Sequence, residues 1–196
     1  CIRDRVCTRA QAAVLLWRAE GSPAASGTHD FRDVAEGAYY ADAVRWAVSK
    51  GITCGTSATT FAPDATVTRA QTVTFLWRQA GAPKATSSNP FTDVQAGSYY
   101  YDAVLWAVEN GITKGTSSTT FSPDDTCTRA QIVTFLWRSE QSPAAGSSNP
   151  FTDVSADAYY ADAVLWAVKE AITTGTTRTT FSPDAELSLI HISEPT

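Results

Sequence analysis

The stretch "TRAQTVTFLWR" at 68–78 returns as "TRAQIVTFLWR" at 128–138 and, altered, as "TRAQAAVLLWR" at 8–18. Each copy opens as a helix should. The leading Thr is a good N-cap, and the Gln three residues on can reach back to it, which makes a capping box. In the last copy Ala130, Ile132, Val133, Phe135, Leu136 and Trp137 leave hardly any polar face. A helix that is apolar nearly all round is normally buried on most sides, so these helices belong at the centre of the molecule. The arginine after Thr is the odd residue, because a helix N-terminus carries partial positive charge and disfavours a cation there.

Working outward from this stretch gives a repeat without insertions. Arg9, Arg69 and Arg129 lie 60 residues apart, as do Phe31, Phe91 and Phe151; Trp46, Trp106 and Trp166; and Phe61, Phe121 and Phe181. Self-similarity at a fixed period marks a repeat architecture, in which each unit buries its apolar face against its neighbours. A second helical pattern, "SYYYDAVLWAVENG" at 98–111, puts Ala103, Val104, Ala107 and Val108 on one stripe. Its copies predict helices near 38–50, 98–110 and 158–170, beside TRAQ helices near 9–19, 69–79 and 129–139. Gly51 and Gly111 suit a left-handed C-terminal residue, whereas Ala171 in the third copy should fit less comfortably. The stretch "GITKGTSSTTFSPDD" reads as an ordered turn with a few extended residues near Phe121, and "GAPKATSSNP" and its copies read as connectors.

The units run 29–88 and 89–148, flanked by the C-terminal half of one repeat at 1–28 and the N-terminal half of another at 149–187. The chain is thus a cyclic permutation of three units. The expected fold is all-α, a pseudo-threefold assembly of helix-loop-helix repeats with the three TRAQ helices meeting at an axis. A further Thr-Arg-Ala-Gln is due at 188–191, where the chain reads "SLIH"; residues 188–196 are therefore expected to be a non-native tail.

Composition narrows the function. In 196 residues the apolar fraction is 43%, enough for a core, and net charge is −5. No Lys/Arg block exists, which argues against a nucleic-acid or anionic-membrane surface. No apolar run approaches the ~18–20 residues of a membrane helix, so membrane insertion is not expected. The absence of Met implies a fragment or processed piece. Cys7 and Cys127 share a position with Val67 and read as small hydrophobes. No metal-type cysteine spacing occurs, so no metal or cofactor is expected. Neither His29 nor His191 recurs, no nucleophile–base pair repeats, and an enzyme is the least supported class.

The combination "FTDV…YYADAV.WAV..GIT.GT…TFSPD…TRAQ…FLWR" resembles the S-layer homology module of bacterial surface proteins, over roughly residues 1–187. The resemblance implies a non-catalytic, extracellular anchor on the cell wall or S-layer. Three such modules typically pack with pseudo-threefold symmetry, and their grooves hold a cell-wall polysaccharide, often one bearing pyruvate ketals. By resemblance, Arg9, Arg69 and Arg129 match the arginine that contacts the anionic sugar, and Gly55-Thr56, Gly115-Thr116 and Gly175-Thr176 match groove-lining segments. The family usually has Glu where Gln11, Gln71 and Gln131 stand.

The residues support the same site independently. Free N–H groups at a helix start beside an arginine suit a carboxylate or phosphate, which a guanidinium can hold through two parallel hydrogen bonds. On this view removing the arginine costs the fold little. A salt bridge from each arginine to Asp33, Asp93 or Asp153 is the alternative. Trp46, Trp106 and Trp166 are either core or sugar-stacking rings, and Trp17, Trp77 and Trp137 are core. Tyr39-Tyr40 and their equivalents read as packing residues. A protein–protein repeat scaffold is the competing function, and would show a continuous exposed apolar face.

Overall fold

A computed structural model describes residues 7–184, so the expectation for 188–196 lies outside the described residues. Within them the chain forms six α-helices and no strand: α1 (Arg9–Ala19), α2 (Ala41–Ser49), α3 (Arg69–Gln79), α4 (Tyr101–Glu109), α5 (Arg129–Ser139) and α6 (Ala161–Lys169). The TRAQ helices begin where the capping box sets them. Thr68 Oγ1 accepts from the Gln71 N–H (3.2 Å) and Gln71 Oε1 accepts from the Thr68 N–H (3.3 Å), with the same exchange at Thr8/Gln11 and Thr128/Gln131. After α4 the chain leaves through Gly111 at φ 68°, and after α6 through Ala171 at φ 56°. The third copy therefore forces a side chain into the left-handed region, as its sequence implied.

The outer helices start three residues later than the pattern suggested. Tyr39 and Tyr40 lie in a turn in which the Ala41 N–H donates to Ala38 O (2.9 Å), and Tyr40 caps α2 with its backbone only. The turn points successive tyrosines in different directions. Tyr40 packs against the apolar core, while Tyr39 does not.

Each TRAQ helix pairs with the outer helix that follows it, α1 with α2, α3 with α4 and α5 with α6, and α5 also touches both α1 and α3. The symmetry closes on itself at the axis. Immediately before the three N-caps, the Cys7 N–H donates to Cys127 O (3.3 Å), Cys127 N–H to Val67 O (2.9 Å) and Val67 N–H to Cys7 O (2.9 Å). Three residues that each donate to the next can do so only in a ring, which an open linear stack of repeats cannot form. All three side chains are buried, which explains why Val and Cys interchange there. Burial pushes the Cys7 and Cys127 thiols up to about 12, so both stay protonated.

A second set of contacts ties each TRAQ helix to the loop of its own unit. The arginine ending each TRAQ motif donates from Nη1 to the loop that precedes its helix in the same repeat, Arg78 to Ile52 O (3.1 Å) and Arg138 to Ile112 O (3.1 Å), while Arg18 to Ile172 O (3.4 Å) joins the two half repeats into the third unit. Inside each loop Phe61, Phe121 or Phe181 is fully buried and meets Phe31, Phe91 or Phe151 with ring centroids 5.7–5.8 Å apart. Each such phenylalanine contributes ~1.5–3 kcal/mol of burial. Trp17, Trp77 and Trp137 are half-buried, not core. Their indole Nε1 groups donate to Pro23, Pro83 and Pro143 O (2.8–2.9 Å) and fasten the connectors.

Candidate functional site

The arginine that opens each TRAQ helix is 4%, 4% and 8% exposed at Arg9, Arg69 and Arg129. It turns away from its own helix into the loop of the next repeat. Arg69 Nε donates to Phe121 O (2.9 Å), and its guanidinium lies 4.9 Å from the Phe121 ring centroid and 5.4 Å from that of Phe135. Arg9 repeats this arrangement with Phe61 O (2.8 Å) and the rings of Phe61 and Phe75. Arg129 is rotated: it faces Phe181 at 4.9 Å and donates from Nη2 to Thr173 Oγ1. Burial pushes all three guanidiniums below their ordinary pKa, with nearby polar and acidic groups partly offsetting it; they stay charged. In each, one buried nitrogen has no hydrogen-bond partner among the described residues: Nη2 of Arg9 and Arg69, and Nε of Arg129. A charged donor held out of water with an uncommitted N–H is costly unless something accepts from it.

The carboxylate of the "F.DV" motif holds the other side of the same peptide. Asp93 accepts from the N–H groups of Phe121 (2.9 Å) and Ser122 (2.7 Å). Asp33 does the same for Phe61 and Ala62, and Asp153 for Phe181 and Ser182. Ala62, Ser122 and Ser182 sit at φ 57–58°, a left-handed conformation that costs a non-glycine residue ~1 kcal/mol or more. The carboxylate stabilises that bend, and the bend delivers the Phe121 carbonyl to Arg69. Burial pushes the Asp33 carboxyl up, but the donated N–H groups and nearby Arg9 prevail and leave it below the usual carboxylate range. The alternative considered from sequence, a salt bridge between arginine and aspartate, is absent among the described residues. The two side chains meet across one peptide instead.

Two further expectations are corrected. The N–H groups at the starts of α1 and α3 are not free. Arg69 N–H donates to Asp125 O (2.9 Å), Ala70 N–H to Pro123 O (3.0 Å) and Gln71 N–H to the cap, with Arg9, Ala10 and Gln11 satisfied likewise. Any anion must therefore be held by side chains, not by the helix end. Trp46, Trp106 and Trp166 are 3%, 8% and 5% exposed, which leaves no ring face for a sugar; they are core. Since the arginines bridge repeats, their removal is predicted to cost stability, where the sequence alone led to the expectation that it costs the fold little.

The glycine-threonine loops fold back on themselves through Thr56, Thr116 and Thr176, whose N–H groups donate to Thr60, Thr120 and Thr180 O (2.8 Å each). Gly115 sits at φ 84°, and a Cβ there would lie 2.6 Å from the Phe91 ring and 2.5 Å from Thr120 O. Only glycine fits, because the phenylalanine presses on the loop backbone. Gly55 and Gly175 meet the same obstacles. Thr56 and Thr116 stay exposed, and Thr176 half-exposed. A cleft of about 580 Å³ lies at the Arg78 end of the first loop, lined in part by His29, Thr53, Cys54 and Arg78, and does not include Arg9.

Sequence reasoning missed Tyr39, Tyr99 and Tyr159. They are the exposed large hydrophobics among the described residues, at 41%, 59% and 61%. Each lies within electrostatic reach of the arginine of a different repeat: Tyr99 of Arg9, Tyr159 of Arg69 and Tyr39 of Arg129. The doubled tyrosine was the available signal, since two adjacent residues in a turn rarely both face the core.

These features define a closed all-α repeat protein with one buried arginine and one exposed tyrosine at each junction between repeats. The chain belongs to the S-layer homology domain family, whose sequence profile matches residues 30–73, 90–133 and 150–189. It is 32% identical over 131 residues to the Surface-layer 125 kDa protein of Lysinibacillus sphaericus, covering 67% of this chain and 11% of that protein. It is 30% identical over 176 residues to a Cellulosome-anchoring protein of Acetivibrio thermocellus, covering 83% of this chain and 37% of that one. An Endoglucanase of a Bacillus strain is 31% identical over 113 residues, 58% of this chain and 12% of the enzyme. The chain thus spans only a minor part of each of these relatives.

Proposed function

We propose that this chain is a non-catalytic anchoring module that holds a larger surface protein on the bacterial cell envelope by binding a cell-wall polysaccharide. Its ligand is an anionic glycan, carrying carboxylates such as pyruvate ketals. Arg9, Arg69 and Arg129 each supply the charge for one site, and Gly55-Thr56, Gly115-Thr116 and Gly175-Thr176 line the approach. The observation that carries this reading is the buried guanidinium with an uncommitted N–H, present once per repeat. A carboxylate oxygen is the partner such a nitrogen takes best. Three similar sites on one closed ring suit a polymeric ligand, because each contact raises the effective concentration for the next. Relatives as different as a surface-layer protein and an endoglucanase share this segment over a minor part of their length. That pattern favours a portable anchor over a catalytic unit, with the parent's own activity lying in other domains. No nucleic acid and no membrane insertion enter this reading; no described helix is long and apolar enough to cross a membrane.

Co-sedimentation with purified cell walls tests the reading, before and after extraction of the non-peptidoglycan polysaccharide. Binding to intact walls that disappears on extraction is expected. Equal binding to extracted walls would overturn it. A protein-scaffold function needs a contiguous apolar face, whereas the exposed large hydrophobics among the described residues are single tyrosines, one per repeat.

A further inference from the structure

We propose that Tyr39, Tyr99 and Tyr159 are stacking platforms for pyranose rings, each completing a site whose charge comes from another repeat. This rests on the anchoring reading and specifies it: each site takes a segment longer than the charged group alone. Tyr99 lies beside the Thr68 side chain at the cap of α3 and within electrostatic reach of Arg9 and of Asp124 in its own Pro-Asp turn. Tyr159 has Asp184 and Arg69 as neighbours, and Tyr39 has Asp64 and Arg129. A guanidinium, an aromatic ring and a carboxylate therefore lie within electrostatic reach of one another three times. These are the groups that recognise an acidic sugar, its apolar ring face and its hydroxyls in turn.

The rings are held in place without being covered. Tyr99 meets Tyr100 edge-on with centroids 5.0 Å apart and planes at 85°, and the pairs at 39/40 and 159/160 match within 2°. A perpendicular contact fixes a ring's plane yet occupies at most one of its faces. Tyr100, Tyr160 and Tyr40 are packed on the core and anchor the pair. An exposed aromatic ring that is already rigid loses little entropy when a sugar stacks on it. Because ring and arginine come from different repeats, each site exists only in the closed assembly.

The test is titration of the whole chain with polysaccharide extracted from cell walls, against the Tyr39→Ala/Tyr99→Ala/Tyr159→Ala protein and the corresponding triple Phe protein. The alanine protein is expected to bind at least tenfold more weakly with its melting midpoint unchanged, and the phenylalanine protein to bind as the parent does. Three results overturn the inference alone: parent-like binding by the alanine protein, equal loss in the phenylalanine protein, or a loss of binding matched by a fall in midpoint. A parent that does not bind the polysaccharide overturns the anchoring reading and this inference with it.

Discussion

Replacing Arg69 by alanine removes a side chain that joins two repeats, and the structure gives the size of the effect. The Phe121 carbonyl, buried with its ring, loses a charged donor at 2.9 Å. An unsatisfied buried acceptor of this kind costs ~1–3 kcal/mol. The guanidinium also leaves the faces of Phe121 and Phe135, where a desolvated cation–π contact contributes ~0.5–2 kcal/mol. Against this, a cation is removed from a helix start, a gain of ~0.3–1 kcal/mol, and a buried donor without a partner disappears. The net loss is about 2 kcal/mol, which for a chain of this size lowers the melting midpoint by ~4–8 °C. Thermal unfolding by circular dichroism measures it, with Arg32→Ala, at an exposed position, as the control expected to stay at the parent midpoint. If Arg69→Ala melts within ~1 °C of the parent, the arginine is not a clasp between repeats and the reasoning fails. The same loss means that binding by arginine variants has to be measured well below the lowered midpoint.

Ala171→Gly should stabilise the protein by ~0.5–1 kcal/mol, because φ 56° burdens alanine where the other two copies have glycine; denaturant titration reads the shift in midpoint. For Asp33 the folded carboxyl lies below its ordinary value, so its stabilising contribution is present above the ordinary carboxylate pKa and lost as pH falls through the folded value. Urea midpoints of the parent should therefore drop in that acidic window, and those of Asp33→Asn should be lower at neutral pH and flatter across it. Cys7 and Cys127, buried and with thiols raised to about 12, should resist iodoacetamide at mildly alkaline pH in the native protein while exposed Cys54 is alkylated; peptide mass spectrometry distinguishes them.

Much of this protein is legible in its sequence because the relevant interactions are short-range. A capping box spans three residues, so Thr68 and Gln71 declare the start of α3 without knowledge of anything else. The apolar circumference of "AQIVTFLWR" demands a central position, and a 60-residue period demands equivalent partners for each unit. Glycine at 111 and alanine at 171 likewise reveal one comfortable helix end and one strained one.

What the sequence does not contain is where the side chains of one repeat end in another. Arg9 and Arg69 each reach a carbonyl 52 residues away, and nothing within their own helices indicates that partner. The helix N–H groups that seemed ready for an anion are consumed by Pro63, Pro123 and Pro183, because closing the ring brings those carbonyls onto the helix starts. Tryptophans 46, 106 and 166 and tyrosines 39, 99 and 159 are all large aromatics on repeating positions, yet only the tyrosines reach solvent. Composition sets how much apolar surface must be buried; the mutual packing of three units decides which faces are buried, and therefore which rings and which guanidinium nitrogens remain for a ligand.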